Sequence, residues 1–250
     1  ALQLIGNGFT VDGQGIAGLR PFEIAAGTSA NISDMTIKGG NAATDGGGIR
    51  VLGNLVLTDA SVSNNRTSGA GGGIAINGGE LTASRIAVTG NTAGVAGGGV
   101  YQAGQGSIKN STISSNAAGD YGGGLVSAIS GSNITLDSVT IVGNGALKLA
   151  SGMSAAAGGS INLRNSIVAN NTGTPDCDVA ANAGVIDNGY NLVESPGTCA
   201  ASLTGTGTIL NRDPLLGPLA LNGGLTLNHL PLPGSPALNA GDTTLTIDQR

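Results

Sequence analysis

The sequence predicts an all-β fold, a parallel β-helix of about seven to nine coils with an irregular C-terminal cap. Three observations support this prediction: a glycine triplet followed by an aliphatic residue recurs, apolar residues alternate between the triplets, and no segment has the period of an amphipathic helix. The chain has 250 residues, 46 of them glycine, and no tryptophan. Its core must therefore be built from aliphatic side chains and close backbone contacts.

The repeat has a period of about 26 residues. The triplets occupy 46–48, 71–73, 97–99 and 122–124. Anchor residues, placed three positions after a buried aliphatic residue, have spacings of 25, 26, 25, 28 and 26 and are Gly40, Asn65, Asn91, Asn116, Asn144 and Asn170. Before each anchor the apolar residues alternate as in a strand, as in 134–144. Each repeat therefore predicts one coil, paired with coils about 4.8 Å above and below it.

Two columns of the repeat have predicted structural roles. We expect one column to adopt the left-handed conformation and to stack its amides as a ladder along the axis: Asn65, Asn91, Asn116, Asn144 and Asn170. The alternative is that these asparagines lie in solvent-facing turns. We expect a second column to supply sharp corners with positive φ: Gly48, Gly73, Gly99, Gly124 and Gly152.

The outward positions beside each inward aliphatic residue are small and mostly uncharged. They are Thr36/Lys38, Ser61/Ser63, Ala87/Thr89, Thr112/Ser114, Thr140/Val142 and Ser166/Val168. They predict a flat wall that allows close lateral approach of one solenoid to another. Because they contain no repeated Thr-x-Thr array, they do not favour ice binding.

Composition excludes several classes of function. The net charge is −5 with only 10 lysines and arginines, so no basic surface exists for nucleic acid. No apolar run reaches the ~18 residues of a membrane span. Two cysteines and a single histidine do not form a usual metal-ligand set, so we expect no metal and no cofactor.

Several segments resemble bacterial right-handed β-helix surface proteins. The opening "GFTVDGQGIAGLRPFEIAAGTSANISDMTIKGG" and the repeated Gly-Gly-Gly-Ile units are similar to polymorphic outer-membrane protein repeats. "NNTGTPDCDV", "GYNLV" and the tail "DPLLGPLALNGGLTLNHLPLPGSPALNAGD" resemble choice-of-anchor Q domain proteins. The resemblance covers essentially the whole chain and implies a secreted right-handed β-helix at a cell surface, without implying a reaction.

The last third of the chain has its own expected features. Cys177 and Cys199 are predicted to form a disulfide, as expected for an exported chain, and the alternative is a catalytic thiol. We assign 1–199 to the coils and 200–250 to a last coil and cap, in one continuous domain. His229 is expected to be a hydrogen-bonded histidine of that cap.

One row of residues is the candidate active site if the chain is an enzyme. Asp34, Asp59 and Arg85 fall six positions before successive anchors, and Asn110, Ser138 and Arg164 continue the row. Paired carboxylates on adjacent coils could act in glycoside hydrolysis. The alternative is a solvated face on which arginine neutralises the carboxylates.

The sequence favours a secreted, non-enzymatic structural or adhesive β-helix that self-associates into filaments or a sheath, or binds other surface proteins. The alternative is a polysaccharide lyase or hydrolase, or a glycan-binding module. In either case the expected location is extracellular or at the cell surface, with polysaccharide as a possible partner.

Overall fold

Short parallel strands, stacked coil on coil, form the frame of the protein. The computed structural model describes residues 1–173 and 175–244, and it has about seven turns. The strands are β1 (Leu2–Asp12), β2 (Phe22–Ile24), β3 (Ser29–Lys38), β4 (Asn41–Ala42), β5 (Ile49–Val51), β6 (Asn54–Thr58), β7 (Ser61–Ser63), β8 (Arg66–Thr67), β9 (Ile74–Ser84), β10 (Ala87–Thr89), β11 (Thr92–Ala93), β12 (Val100–Ser114), β13 (Ala117–Ala118), β14 (Leu125–Ser127), β15 (Asn133–Val142), β16 (Gly145–Ala146), β17 (Met153–Ala155), β18 (Ser160–Arg164), β19 (Ile167–Ala169), β20 (Cys177–Val179), β21 (Gly184–Asp187), β22 (Leu192–Val193) and β23 (Ile209–Leu210).

Each full coil presents three sheet faces and one short side. The first face contains β2, β5, β14, β17 and β20, together with the starts of β9 and β12. The second face contains β6, β18 and β21, together with parts of β1, β3, β9, β12 and β15. The third face contains β7, β10, β19, β22 and β23, together with the ends of β1, β3, β12 and β15. The short side is the five-stranded sheet of β4, β8, β11, β13 and β16.

Equivalent residues of successive coils lie in register, so the predicted fold class is confirmed. On the third face the inward column runs Val11, Ile37, Val62, Val88, Ile113, Ile141, Val168, Val193 and Leu210. Ile37, Val62, Val88 and Ile113 are fully buried. One aliphatic core therefore runs along the axis, and burial of its side chains drives folding.

Two corners of each coil use the left-handed conformation. One lies between the second and third faces and contains Asp34, Asp59, Arg85, Asn110, Ser138, Asn165 and Tyr190, with φ between 47° and 58°. The other follows the third face and contains Gly39, Asn64, Gly90, Ser115, Gly143 and Asn170, with φ between 53° and 67°. Asparagine, aspartate and glycine tolerate this conformation best, which explains why they recur at these corners.

A buried asparagine ladder follows the second corner. Each amide Oδ1 accepts a hydrogen bond from the backbone N–H of the preceding coil's ladder position, and each Nδ2 donates to a backbone carbonyl of that coil. The Nδ2 of Asn91, for example, donates to Val62 O at 2.9 Å and to Asn116 Oδ1 at 2.9 Å. The ladder runs through Asn65, Asn91, Asn116, Asn144 and Asn171. None of these residues has positive φ, so the expected left-handed conformation belongs to the residue before each of them.

The expectation that Asn170 completes the ladder was wrong by one residue. Ile141 pairs with Val168 rather than with Ile167, because this coil is one residue longer than the anchor spacing implied. Asn171 Oδ1 therefore accepts the ladder hydrogen bond from Asn144 Nδ2, and Asn170 occupies the left-handed corner with φ 53°. Either asparagine is chemically suited to either position, so the pair 170–171 did not reveal the register.

The glycine triplets serve two purposes. The first glycine of each triplet has the positive φ: Gly46, Gly71, Gly97 and Gly122, at 62° to 81°. The expected positive φ in the column Gly48, Gly73, Gly99, Gly124 and Gly152 is absent. These residues are glycine because a Cβ would lie too close to the ladder; at Gly73 it would stand 2.8 Å from Gly99 O and 3.0 Å from Asn91 Nδ2. The last glycine of each triplet thus leaves the space that the buried ladder asparagine occupies.

The C-terminal end of the core is covered by a 3₁₀ helix, Gly197–Ser202. Cys199 and Leu203 belong to the core cluster, so this short segment closes the last coil. The segment 200–250, which is expected to form a last coil and cap, begins with this helix and with β23, which pairs with β22 on the third face, and residues 211–244 follow. They turn back along the third face, and 245–250 lie outside the described residues.

Candidate functional site

The carboxylate row lies at a structural corner rather than on an open strand. Asp59 and Arg85 form a two-point ion pair, with Arg85 Nε at 2.6 Å from Asp59 Oδ1 and Nη2 at 2.7 Å from Oδ2. Both carboxylate oxygens of Asp59 are therefore engaged, and the pairing raises the pKa of Arg85. Asp34 occupies the same corner one coil earlier. After Ser138 the row continues with Asn165, not with Arg164, because of the extra residue in that coil.

The C-terminal segment, residues 211–244, covers the central part of the third face. It forms a small antiparallel hairpin in which Ala220 and Asn228 exchange backbone hydrogen bonds. Beneath it the outward residues Ala87, Thr112 and Ser114 have at most 1 % of their surface exposed. The wall predicted for lateral association is therefore not available there.

Side chains along this segment fasten it to the coils. Thr226 Oγ1 donates to Arg85 O at 3.2 Å. His229 Nδ1 lies 2.7 Å from Gly217 O and its Nε2 lies 3.1 Å from Ser114 Oγ. Nδ1 donates to the Gly217 carbonyl, which can only accept, and the Ser114 hydroxyl can serve as donor or acceptor to Nε2, so both ring nitrogens fasten the segment.

An ion pair fastens the far end of the segment. Asp242 pairs with Arg164, and its backbone N–H donates to Asn165 Oδ1 at 2.9 Å. The Arg164 guanidinium, with help from Thr244, lowers the pKa of Asp242 to about 2. No repeat in the sequence signals these contacts, because each partner occurs once.

A cleft of about 610 Å³ opens between the C-terminal segment and the last coils of the third face. Its floor comes from the coils: Ser138, Thr140, Asn165, Ile167, Tyr190, Asn191, Leu192, Gly207 and Ile209. Its other side comes from the segment: Asn228, His229, Leu230, Pro231, Ala237, Leu238, Asn239, Ala240 and Gly241. The volume lies within the range of small-molecule sites, which is about 300–1,000 Å³.

The lining of the cleft mixes amides, hydroxyls and aliphatic side chains. Among the residues that the structure describes, no aspartate, glutamate, lysine or arginine contributes to it. Asp34, Asp59 and Arg85 are not part of it. The described lining therefore has the groups for binding a neutral, hydroxyl-rich molecule, and it does not supply the pair of carboxylates that glycoside hydrolysis requires.

The end of the asparagine ladder is a buried aspartate that sequence reasoning missed. Asp176 Oδ1 accepts from Asn171 Nδ2 at 2.8 Å, and Oδ2 accepts from the Ser195 N–H at 2.8 Å. Burial raises the pKa of Asp176, against the effect of these hydrogen bonds. Asp176 belongs to no column of the repeat, so the periodic pattern did not mark it.

The predicted disulfide between Cys177 and Cys199 is present, with the two Cα atoms 5.8 Å apart. It ties β20 to the closing 3₁₀ helix, and both cysteines are fully buried. A catalytic thiol is thereby excluded in this state. Within residues 1–173 and 175–244, no group of three or more potential metal-ligating side chains was found, and no helix there is long and apolar enough to cross a membrane.

Comparison with known proteins places this geometry in a family. A family model described as "Right handed beta helix region" matches residues 22–204, well over half of the chain. Searches of curated proteins and of solved structures found no match. The matched range includes the ladder, the glycine triplets and the disulfide. The chain therefore belongs to the right-handed β-helix family.

Proposed function

We propose that this chain is a secreted, non-catalytic β-helix that serves as a structural or adhesive module at a cell surface, of the choice-of-anchor Q or polymorphic outer-membrane protein type. The observation that carries the proposal is an uncovered column on the second face, here called the open wall: Asn31, Val56, Thr82, Ser107, Thr135, Asn162 and Ile186. All of these residues are exposed or half-buried and none is charged.

The open wall favours lateral self-association. Its residues repeat at the ~4.8 Å spacing of the coils, so a second solenoid meets the same surface along its whole length. Uncharged side chains allow close approach without burying unpaired charge. End-to-end growth receives less support, because the 3₁₀ helix covers the C-terminal end of the core. A sheath or bundle built by lateral contact, or a contact with another surface protein, fits this shape.

The disulfide supports an extracellular location. Buried disulfides persist in oxidising compartments and are rare in the cytosol. Cys177 and Cys199 are fully buried in the core, so the bond is part of the frame of the last coil rather than a surface feature.

A polysaccharide lyase or hydrolase is the other candidate function, and two observations count against it. Both carboxylate oxygens of Asp59 are held by Arg85. Within 1–173 and 175–244, no acidic side chain lines the cleft.

Two measurements on the full chain test the proposal. Light scattering over a range of concentrations should show association that Thr82→Lys weakens, while Ser130→Lys, an exposed residue between β14 and β15, leaves it unchanged. Release of reducing ends or unsaturated products from polysaccharides would contradict the non-catalytic role. A monomer at every concentration would contradict self-association.

A further inference from the structure

We propose that the cleft between residues 211–244 and the third face is a binding site for a neutral glycan. This inference rests on the proposed adhesive role, because it names the class of ligand that the module would hold. It stands on the polar groups without a protein partner, the neutral lining and the apolar floor of this cleft.

Several polar groups in the cleft have no hydrogen-bond partner. Among the described residues, no hydrogen bond is made by Thr140 Oγ1, by Tyr190 Oη or by the side-chain amide of Asn239. Asn228 is 5 % exposed, and its Nδ2 is buried in the lining with no partner among the described residues. A buried donor without a partner costs about 1–3 kcal/mol. The groups that remain open to a ligand are the hydroxyls of the half-buried Thr140 and Tyr190 and the amide of the exposed Asn239.

Other polar groups of the lining form hydrogen bonds within the protein, and these bonds fix the shape of the site. Asn191 Nδ2 donates to Leu163 O at 3.0 Å and to Asp187 Oδ1 at 2.7 Å. Asn165 Nδ2 donates to Ser138 Oγ at 3.0 Å. The uncommitted groups therefore stand on a fixed framework, which reduces the entropy lost when a ligand binds.

The electrostatics of the cleft select a neutral ligand. Among the described residues, no aspartate, glutamate, lysine or arginine lines it. The Asp187 carboxylate behind Asn191 already accepts hydrogen bonds from Asn191, Thr208 and the backbone N–H groups of Gly189 and Gly205, and Arg164 pairs with Asp242. A uronate or a phosphorylated ligand would lose its hydration without gaining a partner of opposite charge. A neutral sugar loses only hydroxyl hydration, and the amides and hydroxyls replace it.

The apolar surfaces of the cleft complement the faces of a sugar ring. Ile167, Leu192 and Ile209 line the floor in one outward column, beside the ring of Tyr190. Gly207 leaves room at that ring, because a Cβ there would stand 2.8 Å from the Tyr190 Cδ1. Pyranose rings offer C–H faces to such surfaces and hydroxyls to the groups around them, whereas a purely apolar ligand would leave the donors unpaired.

Affinity electrophoresis of the full chain tests the site. The gels contain glucomannan, xylan, β-glucan or arabinogalactan, with polygalacturonate as the acidic comparison. We expect at least one neutral polysaccharide to retard the protein and polygalacturonate not to. Tyr190→Asn, which removes the ring but tolerates positive φ, should weaken binding about tenfold, and Thr140→Ala about threefold.

The matched control is Thr36→Ala, in the same outward column as Thr140 but outside the cleft. It should bind as the wild type does. Melting temperatures show whether each variant is folded. If Tyr190→Asn is not folded, the binding of Thr140→Ala alone tests the site. Absence of retardation by all four neutral polysaccharides, binding of polygalacturonate alone, or wild-type binding by both cleft variants would overturn the site.

The two proposals fail in different ways. Lack of glycan binding together with association through the open wall would contradict the cleft site and leave the adhesive role. Release of reducing ends from a polysaccharide that is bound through the cleft would contradict the non-catalytic role and leave the binding site.

Discussion

Replacement of one ladder asparagine, Asn65→Ala, is expected to destabilise the protein strongly. The Asn65 amide accepts from the Gly40 N–H at 2.9 Å and donates to Ile37 O at 3.1 Å. Both backbone groups are buried, and each loses this partner in the variant. At about 1–3 kcal/mol for each buried polar group left unpaired, the free energy of unfolding should fall by about 2–6 kcal/mol.

The neighbouring asparagine provides the matched control. Asn64 is exposed and has φ 54°, so Asn64→Gly removes the same side chain without unpairing the ladder. Its effect should stay within about 0.5 kcal/mol. Urea unfolding followed by far-ultraviolet circular dichroism measures both variants, with an unchanged m-value showing that the same surface unfolds. Equal stability of the two variants would refute the structural role of the ladder.

Three further predictions follow from the glycine column, the ladder end and the C-terminal segment. Gly73→Ala should lower the melting temperature because its Cβ meets Gly99 O, whereas Gly184→Ala, which has open space, should not; equal melting temperatures would contradict the fit between glycine and ladder. Asp176→Asn should lose the Ser195 contact. Burial raises the pKa of Asp176 above its ordinary value of 3.8. The contribution of Asp176 to the free energy of unfolding is therefore largest below pH 3.8 and declines as pH rises through the raised pKa. The difference in unfolding free energy between the wild type and Asp176→Asn, measured in urea, should be larger at about pH 3 than at about pH 7. The pH dependence of Asp242 is opposite. Because its pKa is lowered to about 2, its contribution to the free energy of unfolding is present above pH 3.8 and is lost as pH falls through about 2. Arg164→Ala should therefore increase proteolysis within 211–244 at neutral pH, and unchanged cleavage would show that the ion pair does not hold the segment.

Much of the frame could be predicted because stacking turns the sequence into columns. Ile37, Val62 and Val88 recur at nearly constant spacing since each must fill the same place in the core of its coil. Asn91 and Gly73 belong to columns that recur because the ladder amide occupies the space that a Cβ on the glycine would need. Because each position constrains the equivalent position of the next coil, the sequence carries a periodic pattern that its composition alone does not reveal.

The parts that were missed lack this periodicity. The ladder ends at Asp176 rather than at another asparagine, and a carboxylate that closes a ladder occurs once. The course of residues 211–244 depends on single contacts such as Thr226 with Arg85 and Asp242 with Arg164. The cleft therefore could not be located from the sequence, although His229 had been identified as a residue with hydrogen-bond partners.

The alignment of successive coils is tested most directly by a distance between two exposed positions of the open wall. Asn31 and Ile186 are separated by six coil steps in register. Spin labels on Asn31→Cys and Ile186→Cys, measured by pulsed electron spin resonance, should give a narrow distribution centred at about 29 Å, six times the ~4.8 Å spacing between strands. A broad distribution, or a centre far from that value, would contradict the stacked β-helix on which the ladder, the wall and the cleft depend.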